Sequence, residues 1–338
     1  MTNTTKSTKQ PSLYDLVQET PLEYSKRLSD LSGADVYLKR EDLQTVRSYK
    51  IRGAYNFLLK HGQKQRQRGV VTASAGNHAQ GVAQAARYLG TTNTIFVPTS
   101  TPQQKIDRIH YLGGTYSTVI VQGTTYDESA EIAKKYANKH NLTYIPPFDH
   151  SDIIEGQGTV AEEIIKQLPA VDYILCPVGG GGLCAGITNV LLLANSKARI
   201  VAVEPVGAAC LQAAIALGKP TTLNTTDSFV DGAAVKRIGE RTFKIMQGRL
   251  DGVETVSNAQ LCQAMIDLYQ HEGIITEPAG ALSVSALQQV ENQVAGKSIV
   301  CIISGGNNDI TRYPEIISLA LQHQEKPINN GRAILVQS

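Results

Sequence analysis

Residues 173–183 read YILCPVGGGGL, a continuous apolar run that ends on Gly179, Gly180, Gly181 and Gly182. A short apolar run bounded by turn residues is the pattern of a buried strand, and glycines directly after it let the backbone turn sharply and approach a ligand closely. A helix is predicted from about Leu183, so the glycine amides and a helix N-terminus together form a cradle for an anion, phosphate above all. The run is neither the GxGxxG of dinucleotide sites nor a phosphate loop with Lys-Ser/Thr after its last glycine. A glycine-rich turn after a strand also has purely structural uses, so the reading needs support from other segments.

The same rhythm extends outward from this point. VYLK near residue 36, GVVTAS near 70, TIFVP near 94, YSTVIV near 116, ARIVAVEP near 199 and KSIVCIIS near 297 read as further strands. Amphipathic stretches of helical length separate them. Thr101-Pro102 predicts a cap followed by proline at the first helical position, with a stop at Gly113-Gly114. The segment from Asn77 to Leu89 predicts a helix stopped by Gly90. Alternating strands and helices with continuous apolar strands define an α/β protein whose mostly parallel sheets are covered by helices on both faces. A length of 338 residues suits about two domains, but no repeat, linker or shift in composition marks a boundary. The alternation is lost after Gln322, where a short extension is expected.

Lys and Arg number 32 against 30 Asp and Glu, a balance that excludes a polybasic nucleic-acid or membrane-surface binder. The basic stretch from Lys60 to Arg68 reads as a solvated helix end and loop. A hydrophobic share of 42 % with 18 % charged residues excludes disorder for most of the chain. No window is apolar for long enough to cross a membrane, and the N-terminal MTNTTKSTKQ has no apolar core, so neither a membrane helix nor a signal peptide is expected. Cys176, Cys184, Cys210, Cys262 and Cys301 fit no disulfide framework and no CxxC pair, and most sit in apolar runs. The expectation is a reducing, cytoplasmic setting. The histidines lack metal-ligand spacing, so no zinc site is expected.

Three more segments carry chemistry. In SYKIRGA, residues 48–54, Lys50 stands at a predicted helix start, where the macrodipole and partial burial both favour the neutral amine. A neutral lysine amine is what Schiff-base chemistry requires. In TASAGNH, residues 72–78, Ser74, Asn77 and backbone amides can gather around a carboxylate at a helix N-terminus; plain N-capping by Ser or Asn is the competing reading. Ser304-Gly305-Gly306-Asn307 follows the strand SIVCIIS, and the carboxyl ends of parallel strands are where open α/β sheets bind ligands.

Together these segments resemble the fold-type II (tryptophan synthase β-like) family of pyridoxal-phosphate enzymes, and within it the threonine ammonia-lyases, also called threonine deaminases or dehydratases. The resemblance runs from about Val17 to Arg312 and includes YLKREDLQTVRSYKIRGAYN, TASAGNHAQGVA, YIPPFDHSDIIEGQGT, PVGGGGL, VAVEPVGAA, FVDGAAV, TEPAGALS and SGGNNDI. It implies that Lys50 is the Schiff-base lysine, that Gly179, Gly180, Gly181 and Gly182 hold the cofactor phosphate, that Asn77 meets the ring hydroxyl and that Ser304 faces the pyridine nitrogen. It further implies that Ser74, Ala75, Gly76, Asn77 and His78 seat the substrate carboxylate, with Glu277 and Gly305 near the ring. A neutral serine at the ring nitrogen favours expulsion of a β leaving group over reprotonation. The implied reaction is α,β-elimination from L-threonine to 2-oxobutanoate and ammonia, Lys50 taking the Cα proton. L-Serine would follow the same path to pyruvate, since one methyl gives only about 1–3 kcal/mol of discrimination. The resemblance also implies a large domain from residues 1–69 and 150–320, an inserted mobile domain over 70–149, a cofactor cleft between them, and a homodimer or homotetramer.

Departures from the family pattern bear on the alternatives, which are a serine racemase or serine dehydratase and a β-replacement enzyme of the same fold. Serine racemases carry a second serine in the loop that here reads SAGNH, and sulfur-transfer relatives a TSGNT-like loop. Tyr49 stands where Phe is common. Glu204 matches an acid of metal-binding racemases, but no carboxylate lies between it and Asp227, so a hydrogen-bonded strand-end carboxylate, without metal, is expected. Too few residues follow Pro314 for an ACT-like regulatory domain (residues 321–338 are read as an extension), and no inhibition by isoleucine is expected. A nucleotide-binding oxidoreductase lacks its fingerprint, and a silent cofactor-binding protein would not need the intact chemistry. The loop reading makes a prediction: Ala75→Ser supplies an acid/base hydroxyl on the second face of Cα and adds serine racemase activity, measured as D-serine formed. Racemisation no faster than in the parent contradicts it.

Overall fold

The computed structural model describes residues 11–324. Its strands are β1 (Leu22–Tyr24), β2 (Asp35–Arg40), β3 (Val70–Ala73), β4 (Asn93–Val97), β5 (Ser117–Val121), β6 (Thr143–Tyr144), β7 (Tyr173–Pro177), β8 (Arg199–Pro205), β9 (Gly252–Val256) and β10 (Ser298–Ile303). They form two sheets, a six-stranded one in the order β1-β2-β10-β7-β8-β9 and a four-stranded one in the order β5-β4-β3-β6. Every pair is parallel except β1 with β2, an antiparallel edge. The four-stranded sheet uses only residues 70–144, and the six-stranded sheet uses the chain on either side of it.

Alternation along the strands explains the layering. In the large sheet Leu38, Leu175, Val201 and Cys301 pack on one face with helices Asn258–Glu272 and Pro278–Ser285. Ile174, Cys176, Ile200 and Val300 pack on the other with helices Ser151–Gln167 and Gly182–Leu193. Both faces being covered, the strands read as unbroken apolar runs. In the small sheet Val71, Ala73 and Phe96 meet helix Tyr126–His140. Val70, Ile95 and Val97 share a cluster with Ile51, Ala54 and Phe57 of helix Lys50–Lys60, so a helix that precedes the small sheet in sequence completes its core. All five cysteines are free and buried.

Some local expectations shift. Pro102 is the N-cap of helix Gln103–Gly113 rather than its first residue, so the helix starts one residue later than expected, and Gly114 is its C-cap. Helix Asn77–Tyr88 ends at Leu89, with Gly90 at a φ of 65°. Helix Tyr313–Gln324 runs past residue 321, where the extension was expected to begin; the rest of that segment and residues 1–10 lie outside the described residues. No helix among the described residues is long and apolar enough to cross a membrane.

A fully buried ion cluster ties helix Lys50–Lys60 to both flanks. Arg52 donates to Glu41 through Nε (2.8 Å) and one NH2 nitrogen (2.7 Å), and to Glu163 at 2.6 and 2.9 Å. Lys39 on β2 donates to Glu163 at 2.7 Å and to the Thr20 carbonyl at 2.7 Å. Burial pushes the Glu163 carboxyl up, but the Arg52 and Lys39 hydrogen bonds outweigh it and hold the group below the usual range. Arg52→Met leaves two buried carboxylates short of their shared cation, which should cost about 3–5 kcal/mol in denaturant unfolding. A loss below about 1 kcal/mol would show that the cluster does not hold the helix.

Candidate active site

The carboxyl ends of β3, β4 and β7 open onto a cavity of about 320 Å3. Parallel strands leave their backbone groups and the following helix N-termini pointing there, so polar ligands are met by amides rather than by side chains alone.

Lys50 is the first residue of helix Lys50–Lys60 and lines the cavity. Its amine donates to the Pro147 carbonyl at 3.2 Å and lies 5.2 Å from the centre of the Tyr49 ring. Burial lowers its pKa to about 8, with Glu277 pulling the other way. The neutral form is therefore accessible near neutral pH, as the helix-start reading required, with burial as the cause.

The glycine loop explains its own composition. A Cβ at Gly180 would lie 2.3 Å from the Phe148 ring, and one at Gly182 would lie 3.1 Å from the Phe148 Cβ. Gly181 is the N-cap of helix Gly182–Leu193, with a φ of 87° that side chains rarely adopt, and no side chain caps the helix amides. Thr242 pins the loop by donating to the Gly180 carbonyl at 2.8 Å. The result is a backbone cradle beside the cavity with room for an anion and none for side chains.

Ser74, Ala75, Gly76, Asn77 and His78 all line the cavity. The N-cap of helix Asn77–Tyr88 is Gly76, which has no side chain to offer, so capping by Ser or Asn does not account for the loop. The Ser74 hydroxyl instead accepts from the Gly76 amide at 3.2 Å. Burial lowers the His78 pKa to about 3, with Lys50 adding to the effect, so the ring is neutral. Its Nε2 pairs with the Ile145 carbonyl at 3.2 Å, and its Nδ1 is buried without a partner.

Asn77 is fixed from both sides. Its Nδ2 donates to Glu277 at 2.5 Å, and its Oδ1 accepts from Asn307 at 2.8 Å. Asn307 also donates to the Val46 carbonyl at 2.8 Å. One Asn77 N–H is left for a ligand. Burial raises the Glu277 carboxyl to about 7, helped by Asp231. Gly305 lies off the cavity wall, but its carbonyl accepts from the Glu277 amide at 3.2 Å, and a Cβ there would come within 2.2 Å of the Glu277 carboxylate. Its glycine makes room for Glu277.

Besides Gly305, two residues singled out in the sequence are not on the cavity wall. Ser304 is buried next to Lys50, its carbonyl accepting from the Tyr49 amide at 3.2 Å and its hydroxyl donating to the Ala279 carbonyl at 3.1 Å. Glu204 is fully buried and accepts from the Leu211 and Gln212 amides at 2.8 and 2.9 Å, at the start of helix Cys210–Leu217. Burial raises its carboxyl to about 7. Arg47, Lys105, Arg108, Tyr126, Phe148 and Asp231 line the cavity without having been expected from the sequence. Arg47, Phe148 and Asp231 sit in segments that the family resemblance includes, YLKREDLQTVRSYKIRGAYN, YIPPFDHSDIIEGQGT and FVDGAAV, but nothing in the spacing of those segments marks them for the site; Lys105, Arg108 and Tyr126 carry no motif signal.

A reactive amine beside a backbone anion cradle is the arrangement of an enzyme that uses a phosphorylated carbonyl cofactor. The family model described as "Pyridoxal-phosphate dependent enzyme" matches residues 13–305, and the chain belongs to that family. The chain is 50 % identical over 311 residues to the L-threonine dehydratase biosynthetic IlvA of Mycobacterium bovis, covering 91 % of this chain and 72 % of that protein. The protein of the same description from Corynebacterium glutamicum is 48 % identical over 324 residues, with 94 % and 74 % covered. Among solved structures, the processed form of threonine deaminase isoform 2 from Solanum lycopersicum aligns with a TM-score of 0.87 at 40 % identity, covering 91 % of this chain and 90 % of that one. Maize serine racemase aligns with a TM-score of 0.85 at 30 % identity, covering 92 % and 95 %.

The cradle fits the cofactor's phosphate, and an amine whose neutral form is accessible and the free Asn77 N–H fit its carbonyl and ring hydroxyl. Gly180→Ala drives a methyl into the Phe148 ring, a clash of the kind that costs about 1–3 kcal/mol. It should weaken pyridoxal-phosphate binding about tenfold, read by absorbance titration, and Phe148→Ala in the same chain should restore part of the loss. Unchanged affinity in Gly180→Ala would contradict the assignment of the cradle.

Proposed function

We propose that the protein is a pyridoxal-phosphate dependent lyase that converts L-threonine to 2-oxobutanoate and ammonia, with L-serine as a secondary substrate giving pyruvate. The observation that carries this reading is Lys50, a partly buried amine with a pKa of about 8, in a cavity shared with the glycine cradle and the uncapped start of helix Asn77–Tyr88. Relatives described as threonine dehydratase and threonine deaminase support the substrate.

When bound, pyridoxal phosphate supplies an electron sink for the pair left at Cα. Lys50 would hold the cofactor, Gly179 to Gly182 its phosphate, and Asn77 its ring hydroxyl. Ser304 would turn its hydroxyl from the Ala279 carbonyl toward the ring nitrogen. The amides of the loop from Ser74 to His78 would seat the substrate carboxylate; the His78 ring presents only a lone pair there, so its main chain is the part that helps. Lys50, once free, takes the Cα proton as general base. Ala75 places no hydroxyl on the second face of Cα, which favours elimination over the inversion carried out by a racemase. The segregation of the two sheets supports a large unit of residues 1–69 and 150–320 and an inserted unit, 70–149, that closes over substrate and excludes water. The setting we infer is cytoplasmic, in a homodimer or homotetramer.

The test is release of 2-oxobutanoate and ammonia from threonine, and of pyruvate from serine, by cofactor-loaded protein. Lys50→Ala should reduce turnover by about a thousandfold or more. In the parent, kcat should fall on the acid side as pH drops through about 8, because a protonated Lys50 cannot accept the Cα proton. Absence of 2-oxo acid from both substrates, or full activity in Lys50→Ala, overturns the reading.

A further inference from the structure

Four cationic side chains line the cavity: Arg47, Lys50, Lys105 and Arg108. Lys50 is assigned to the chemistry, and Lys105 is paired with Asp231. Among the described residues, neither arginine has an ion-pair partner. Arg108 donates one NH2 nitrogen to the Thr45 carbonyl at 3.3 Å and lies 5.3 Å from the centre of the Tyr111 ring, while its Nε is buried with no acceptor. Burial and the neighbouring Arg47 both disfavour its charge.

Arg47 is held in an unusual conformation. Its φ is 56°, in the left-handed region that costs a residue with a side chain of order 1–3 kcal/mol. Two hydrogen bonds keep it there: its amide donates to the Gln44 carbonyl at 2.6 Å, and its carbonyl accepts from the Gly306 amide at 2.9 Å. That backbone fixes where the exposed Arg47 side chain leaves the chain, beside Arg108. The orphaned buried Nε of Arg108 and the like charge of Arg47 next to it are both unfavourable until an anion comes between the guanidinium groups. Charge-assisted, bidentate hydrogen bonding to a carboxylate is the interaction arginine makes best.

In the function proposed above, on which this inference rests, the other anions already have seats: the cofactor phosphate on the glycine cradle and the substrate α-carboxylate on the loop from Ser74 to His78. We propose that Arg47 and Arg108 bind a second carboxylate, carried on the β-carbon of the substrate, and that the enzyme also deaminates β-hydroxy amino acids bearing a carboxylate where threonine has its methyl group. The reaction balances as it does for threonine. Lys50 takes the Cα proton, the Cβ–O bond breaks and the hydroxyl leaves as water. The resulting enamine tautomerises to an imine, and hydrolysis of the imine consumes one water and releases ammonia. The net products from 3-hydroxyaspartate are oxaloacetate and ammonia, with no external oxidant or reductant.

The experiment compares L-threonine with both diastereomers of 3-hydroxy-L-aspartate on the holoenzyme, measuring 2-oxobutanoate and oxaloacetate directly. Arg47→Gln and Arg108→Gln are assayed beside Lys64→Gln, which removes a charge from the exposed helix Gln63–Arg66 outside the cavity. The expected result is oxaloacetate release by the parent. The ratio of kcat/KM for hydroxyaspartate to that for threonine should fall about tenfold or more in each arginine variant and stay constant in Lys64→Gln. Turnover of threonine without oxaloacetate overturns this inference and leaves the proposed function standing. A ratio that does not move in the arginine variants, or that moves equally in Lys64→Gln, also overturns it. Inertness toward every substrate overturns both readings.

Discussion

Arg52 has no exposure to solvent, and its guanidinium is divided between two carboxylates that belong to different elements. Glu41 follows β2, and Glu163 belongs to helix Ser151–Gln167. The helix that carries Arg52 begins two residues earlier, at Lys50. Burying these charges is expensive, and a well-packed apolar replacement could be as stable. What the ions add is direction: a planar, bidentate clamp fixes the rotation and height of the helix, and so fixes where the Lys50 amine emerges. The same helix packs Ile51, Ala54 and Phe57 into the core of the small sheet. Lys50 therefore sits on an element whose position is set by one sheet's flanks and whose apolar face belongs to the other sheet.

The cavity follows from that placement. Lys50 donates to the Pro147 carbonyl and is partly buried on the cavity wall, and desolvation lowers its pKa to about 8, within reach of the neutral form that a base or nucleophile requires. Glu277, raised to about 7 by burial, reaches the same wall and grips Asn77, which Asn307 orients from behind. Glycines occur where this convergence leaves no room: Gly180 against Phe148, and Gly305 against Glu277. Each is a tertiary requirement met by deletion of a side chain.

The strands that are buried on both faces are plain in the sequence, because both neighbours demand apolar residues at every position. The three that are not visible there have physical reasons. β1 is a short antiparallel edge with an exposed Tyr24, β6 has two residues, and β9 is half-exposed, so none produces an unbroken apolar run. Of the site, the residues carried by motifs were legible: Lys50, the loop from Ser74 to His78, and the glycine cradle. The hydrogen-bond chain from Asn307 through Asn77 to Glu277 joins residues 230 and 200 positions apart, a relation that only the fold creates. Arg47, Lys105 and Arg108 were invisible for the same reason, since a lone cation in a polar stretch looks like solvated surface until the two sheets place it on a cavity wall. Ser304 shows the reverse. Its place after a parallel strand was readable, while its present partner, the Ala279 carbonyl, was not.

The whole account stands on the attachment of the cofactor to one amine. Protein loaded with pyridoxal phosphate and reduced with borohydride should, after digestion and peptide mass spectrometry, carry its pyridoxyl group on the side chain of Lys50. An adduct on a different lysine, or none at all in saturated protein, would contradict it.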